Sequence, residues 1–382
     1  MILRMLQREI TPRIVSRLHK RKAIVLLGPR QVGKTTLVKQ IAAEEDLDYL
    51  YLNADDVEVP ALLAQRSATA LRSVIGSHKL VIIDEAQRIA EIGLKLKLIV
   101  DTYPEIQLIV TGSSSLDLSR GISESLTGRK FEFFLYPISF AEYYHNVGHV
   151  AAIGNLERRL LYGSYPEVIN QAGDEREYLL LLVNSYLYKD LLELKELRRT
   201  ELLIKILQSL AFQVGSEVSY NEVANNVGAD RLTVERYIDL LEKAFVIFRL
   251  PAFSRNLRNE IKKGRKIYFW DNGVRNALIS NFNPLDIRQD KGALWENFLV
   301  SERAKYNQYN RNYANTYFWR THRQQEIDYL EDRDGQLRAF EFTYNPKKKK
   351  NLPTSFTEAY PNSTASVINS DNFLPFVGIS DE

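Results

Sequence analysis

The sequence predicts an α/β protein whose parallel-sheet domain is followed by a helical subdomain, a winged helix-turn-helix unit and a C-terminal α/β domain. Three observations lead there. Short apolar runs alternate with helix-length segments through the first third of the chain. A leucine-rich helical pattern replaces that alternation from about 140 to 210. Strand and helix patterns then mix again up to the C-terminus.

In the first third, "AIVLLG" (23–28), "LDYLYLNAD" (47–55), "KLVIIDEAQ" (79–87), "QLIVTGSSS" (107–115) and "KFEFFLYP" (130–137) read as strands. Several are nearly continuous apolar runs, as expected for strands covered on both faces of a parallel sheet. The intervening stretches are long enough for crossover helices. The run "REYLLLLVNSYLYKDLLELKEL" is too short, and apolar on too many faces, for a coiled coil, so a buried helical subdomain is expected.

Beyond it, one helix ends near Asn226-Val227-Gly228 and a second runs from about Arg231 to Lys243, joined by a tight turn of the helix-turn-helix type. "FVIFRLPAF" and "KIYFW" flank the basic stretch "SRNLRNEIKKGR", which predicts a hairpin wing. The last segment holds a helix ("ALWENFLVSERAKYN") and strands ("NTYFWR", "EIDYLED", "QLRAFEFTY"). The expected boundaries are 1–145, 146–205, 206–275 and 276–382.

Composition narrows the class. At 382 residues the length allows two or three separate cores, and 45% hydrophobic with 26% charged residues is ordinary for a globular protein. Lys+Arg of 51 against Asp+Glu of 48 creates no bulk field for nucleic acid, so any such surface must be local. The absence of cysteine excludes disulfides and thiolate chemistry and fits a cytoplasmic location. No segment has the apolar length of a membrane span, and the N-terminus lacks a signal-peptide core, so no membrane partner is expected.

The strongest motif is "GPRQVGKTT": Gly28, Pro29, Arg30, Gln31, Val32, Gly33, Lys34, Thr35 and Thr36. It fits G-x-x-x-x-G-K-[ST] between a predicted strand and a predicted helix. Backbone N–H groups of such a loop fold around phosphate oxygens, and the helix N-terminus adds its dipole. Lys34 then reaches the β- and γ-phosphates of ATP, while Thr35 ligates Mg²⁺. Asp84, ending the strand "LVIID", is expected to share that Mg²⁺, and Glu85 to polarise an attacking water. After "LIVTG", Ser113 is the candidate for touching the γ-phosphate or the water, with Thr111 the alternative. A helix N-cap would use the same residues. Arg129, directly before the fifth strand, either completes a neighbouring subunit's site, implying a homo-oligomer, or simply ends a helix.

With these residues assembled, the chain resembles the AAA-type ATPases of bacteria and archaea that carry a winged helix and a nuclease-like C-terminal extension. The resemblance runs nearly end to end, through "KAIVLLGPRQVGKTTL", "LVIIDEAQ", "GRKFEFFLYPISFAEY", "KIYFWDNGVRNAL" and "GALWENFLVSE". It implies a five-stranded core of AAA strand order and ATP–Mg²⁺ binding.

Two later features carry further expectations. The second helix of the helix-turn-helix offers Arg231, Thr233 and Arg236 to a DNA groove, and the wing offers Arg255, Arg258, Lys262, Lys263, Arg265 and Lys266 to phosphates. A protein-docking role fits the same fold. In the C-terminal hairpin, a turn at "DRDG" (332–335) places Glu331 opposite Gln336 and Asp328 opposite Ala339, with Asp328 and Glu341 diagonal on one face. Glu296 is the third carboxylate. This looks like the PD-(D/E)XK nuclease core, except that Thr343 stands where that core needs lysine. Residues 347–350 are a flexible substitute, so the expected domain is a degenerate nuclease-like module. The leading expectation is therefore a Mg²⁺-dependent ATPase. The alternatives are an ATP-gated DNA nuclease, or a nucleotide-responsive regulator binding DNA or protein.

Overall fold

The computed structural model describes residues 6–113, 125–187, 199–254, 264–321, 325–348 and 350–380. The chain divides into two compact units, one of Met5–Pro137 with Lys243–Phe245 and the other of the remaining residues.

The first unit alternates strand and helix. In chain order these are β1 (Ala23–Leu27), α1 (Lys34–Glu44), β2 (Tyr49–Asn53), α2 (Ala68–Ile75), β3 (Leu80–Asp84), α3 (Ile92–Thr102), β4 (Gln107–Gly112) and β5 (Lys130–Phe134). The strands form one sheet of order β2-β3-β4-β1-β5, with every pairing parallel. That is the α/β sheet of a P-loop ATPase fold, in the strand order the resemblance implied. All residues of β1, β3 and β4 are buried. Their Ile, Val and Leu side chains are each worth ~1.5–3 kcal/mol when removed from water, so the three central strands anchor the sheet. The register sets β1 beside β4 through Leu27 and Gly112, so the loop leaving β1 emerges at the C-terminal edge of the sheet. Asp84 ends β3 at the same edge, where ligands of open α/β sheets bind.

The second unit begins with α4 (Phe140–Val147), whose start is fixed by a capping box between Ser139 and Glu142. After α5 (Leu156–Tyr162) and α6 (Thr200–Phe212) come the strand β6 (Glu217–Val218), α7 (Tyr220–Val227) and α8 (Arg231–Lys243). The turn between α7 and α8 is Gly228–Asp230, and Asp230 caps α8 by accepting from the Thr233 N–H and hydroxyl at 2.8 and 2.6 Å. β7 (Ile247–Pro251) and β8 (Arg265–Phe269) complete an antiparallel sheet of order β6-β8-β7. Then follow α9 (Asn272–Leu278), α10 (Lys291–Tyr309), β9 (Asn315–Arg320), β10 (Glu326–Arg333), β11 (Gln336–Phe342), α11 (Thr354–Ala359) and β12 (Thr364–Ile368). The last four strands form a sheet of order β12-β11-β10-β9, parallel only between β11 and β12. Phe253, Trp319, Ile327, Leu330, Ala339 and Phe356 pack as the core against that sheet.

The hairpin register differs from the expectation. Arg333 pairs with Gln336 and Glu331 with Arg338, so the turn is only Asp334-Gly335. Both have positive φ, 54° and 80°. Two such residues close a type I′ turn, whose twist matches the flanking strands, so no four-residue loop is needed. Continuing that register sets Asp328 opposite Glu341 rather than opposite Ala339.

Candidate active site

The loop between β1 and α1 is held from below. A Cβ on Gly28 would lie 2.0 Å from the Leu135 carbonyl oxygen, so only glycine admits the chain that follows β5. Arg8, buried, donates to the carbonyls of Val32 at 2.8 Å and Tyr136 at 2.6 Å, tying the loop to the same segment. Pro29 is buried, Arg30, Gln31 and Gly33 are partly so, and Thr36 is exposed on the first turn of α1. Lys34 is 4% exposed, and its ammonium donates to the Gly28 and Pro29 carbonyls at 3.0 and 2.9 Å. A buried ammonium resting on carbonyls has donors to offer an anion entering the loop.

Asp84 gathers hydroxyls. Its Oδ2 accepts from Thr35 at 2.6 Å and from the Tyr51 phenol at 2.7 Å, and its Oδ1 accepts a short hydrogen bond from Thr111. Burial, followed by the hydrogen bond to Asp84, raises the Tyr51 phenol well above its ordinary range, so it stays a donor at neutral pH. Glu85 follows in a left-handed backbone conformation, φ 50°, with its N–H donating to Thr111 Oγ1 at 3.1 Å. The Gln87 amide nitrogen donates both to Glu85 Oε2 at 2.5 Å and to Ser113 Oγ at 2.9 Å. One network thus joins Thr35, Asp84 and Thr111, and Thr111 links it through the Glu85 backbone to Gln87 and Ser113.

This donor set fits Mg²⁺. A hydroxyl and a carboxylate already in contact at a helix start are hard oxygen ligands of the type that ion takes. Arg129 lies elsewhere, on the surface before β5, paired with Asp101 at 2.5 Å. No described contact joins it to the Asp84 network.

The network contains residues the motif reading passed over. Tyr51 sits in a strand that reads only as apolar and aromatic, and Arg8 has no local signal. Gln87 is visible as the last letter of "DEAQ", and Thr111, the alternative to Ser113, bonds the Asp84 carboxylate and the Glu85 backbone N–H.

The second unit does bring Glu296, Asp328 and Glu341 together, around lysines. Lys350 Nζ donates to Asp328 Oδ2 at 2.6 Å and to the Phe342 carbonyl at 3.2 Å, and forms a short ion pair with Glu341. The Phe342 N–H also donates to Asp328 Oδ2, at 2.8 Å. The expectation of a flexible substitute is thereby corrected: Lys350 is fastened at three points. Thr343, by contrast, turns its hydroxyl to the Asn345 carbonyl. Burial, then the neighbouring Asp328, pushes the Glu341 carboxyl up to about 8. Burial and Asp328 likewise hold Glu296 above its usual range against the pull of Lys266. Among the described residues, no group of three or more Asp, Glu or His is arranged to hold a metal ion.

Lys266 requires a second correction. Expected on a wing facing phosphates, it is 1% exposed and ion-paired with Glu296 at 2.8 Å and Glu326 at 2.5 Å. β8 is the central strand of its sheet, and from Lys266 to Phe269 every residue is buried, a consequence of pairing that the basic run concealed. Arg265 is half-buried beside Tyr220, and Thr233 is engaged in the Asp230 cap. Arg231 and Arg236 are exposed on α8. Arg255, Arg258, Lys262 and Lys263 lie outside the described residues.

No helix among the described residues is long and apolar enough to cross a membrane. Residues 20–144 match the family model of the AAA domain, while 153–285 and 291–379 match two domains of unknown function, DUF8612 and DUF4143. An uncharacterized protein of Mycobacterium tuberculosis is 27% identical over 359 residues, covering 92% of this chain and 77% of that one. The replication factor C large subunit of Methanosarcina acetivorans is 34% identical over 76 residues, 19% of this chain and 12% of that protein. Among solved structures, a Walker-type ATPase of Pyrococcus abyssi is 17% identical, covers 72% of this chain and 96% of its own, and has a TM-score of 0.49. Residues 20–144, with their parallel sheet and phosphate-type loop, are an AAA-type ATPase-like domain.

Proposed function

We propose that the chain hydrolyses ATP in a Mg²⁺-dependent reaction at the edge of the five-stranded sheet. The observation that carries this is the Thr35–Asp84 hydrogen bond, next to Lys34 at the start of the helix that follows the loop. It pre-assembles two ligands from elements 49 positions apart. Bound Mg²⁺, held by Thr35 and Asp84, would supply positive charge against the phosphates. Lys34 exchanges its carbonyl partners for phosphate oxygens. Glu85 accepts a proton from water as the water oxygen bonds to the γ-phosphorus and the bond to ADP breaks. The products are ADP and phosphate, with the proton passing to solvent. Nucleotide binding and steady-state hydrolysis test this: Lys34→Ala should bind no ATP, while hydrolysis at the normal rate by Glu85→Gln would remove that residue's role.

The remaining modules are read around that centre. The α7–α8 pair with the β6-β8-β7 sheet supports a winged-helix reading, and exposed Arg231 and Arg236 favour DNA as its partner over a docking protein. A salt-dependent DNA shift lost in Arg231→Ala/Arg236→Ala supports it; capture of a protein without DNA opposes it. Arg129, partly exposed and paired with Asp101, would serve a neighbouring copy in this reading, which predicts turnover that rises with protein concentration. The C-terminal order helix–three strands–helix–strand supports a nuclease-like scaffold whose carboxylates are neutralised by lysine. Plasmid cleavage with Mg²⁺ or Mn²⁺, lost in Asp328→Asn, would instead establish the ATP-gated nuclease.

A further inference from the structure

Gln87 occupies the 3₁₀ turn Ala86–Arg88 that follows the two acidic residues. Its amide nitrogen has two hydrogens, and Glu85 Oε2 and Ser113 Oγ take one each. The orientation of the amide follows from chemistry: an ionised carboxylate only accepts, so the nitrogen must face Glu85. Gln87 Oε1 is buried and has no hydrogen-bond partner. A side chain that leaves its acceptor unsatisfied while both donors are engaged gives up free energy for those two bonds. The Ser113 hydroxyl, accepting from Gln87, must direct its own proton elsewhere, which leaves it a donor toward an anion.

We infer that Gln87 is a positioning residue for hydrolysis, holding the Glu85 carboxylate in one orientation and turning Ser113 into an outward donor. This rests on the ATPase reading above and assigns the link between its two water-facing groups. Gln87 makes no described contact with Thr35 or Asp84, so its loss is expected to act on turnover rather than on nucleotide capture. Both groups it orients act in the transition state, where a small misplacement is costly.

The test compares the full-length wild type, Gln87→Met, Gln87→Ala, Ser113→Ala and the Gln87→Ala/Ser113→Ala double variant. Steady-state hydrolysis is measured beside equilibrium binding of a fluorescent ATP analogue. Met matches the length of Gln and removes both donors. The expected result is a kcat lowered about 10–100-fold in Gln87→Met and Gln87→Ala, with analogue affinity within about 3-fold, which also reports an intact fold. The double variant should be no slower than Gln87→Ala within about 2-fold, because the serine's contribution depends on its orientation by the glutamine. Three results overturn the inference: wild-type turnover by Gln87→Met, a raised KM at unchanged kcat, or single effects that multiply in the double variant. Absence of turnover in the wild type removes the ATPase reading and this role with it; normal wild-type turnover with an unimpaired Gln87→Met removes this role alone.

Discussion

Asp84 and Asp328 are both nearly buried carboxylates near an acidic neighbour, yet their partners are of opposite kinds. Asp84 is surrounded by hydroxyls, from Thr35, Tyr51 and Thr111. Asp328 is met by the Lys350 ammonium and a backbone N–H. Hydroxyls satisfy hydrogen-bonding capacity without cancelling charge, so a cation remains welcome. An ammonium cancels the charge and fills the place. The first centre is arranged to exchange partners, whereas the second has its cation built in.

The largest expected effect lies in the first centre. Lys34→Ala should abolish ATP binding in equilibrium titration, since it removes the buried ammonium that rests on the Gly28 and Pro29 carbonyls. Next, Glu85→Gln should retain binding and lose about 10²–10⁴ in turnover by a coupled hydrolysis assay. If both substitutions were silent, the contrast between the centres would have no functional content.

In the second centre the effects should be on stability. Lys350→Met leaves two buried carboxylates without their ammonium, and urea denaturation should show a loss of ~1–3 kcal/mol, limited by the one-third exposure of the lysine. ATP turnover should stay near normal. The pH dependence has a definite sign. Glu341, with a folded pKa of about 8 against an ordinary 4.5, binds its proton more tightly when folded. Its contribution is therefore complete below about pH 4.5 and is lost as pH rises through about 8. The denaturation midpoint should fall from pH 5 to 8.5, and Glu341→Gln should flatten that fall.

The contrast was only half legible in the sequence. Buried parallel strands need unbroken apolar runs, and phosphate loops need fixed glycine spacing, so β1, β3, β4 and the Lys34 loop are written locally. The hairpin register is not written locally, because a two-residue Asp334-Gly335 turn and a four-residue one share the same letters, and only backbone twist selects between them. Lys266 reads as surface charge because a basic run conceals where the buried central strand begins. Lys350, Tyr51 and Arg8 act across 22, 33 and 128 positions respectively, separations at which no local pattern announces a partner.

The central claim is that catalysis resides at the hydroxyl-lined carboxylate and not at the lysine-filled one. Steady-state ATP hydrolysis in Mg²⁺ by Asp84→Asn and Asp328→Asn, measured side by side with the wild type, tests it directly. Asp84→Asn should lose Mg²⁺-dependent turnover while Asp328→Asn stays within about 3-fold of wild type. Sustained turnover in Asp84→Asn, or its loss in a folded Asp328→Asn, would contradict the account.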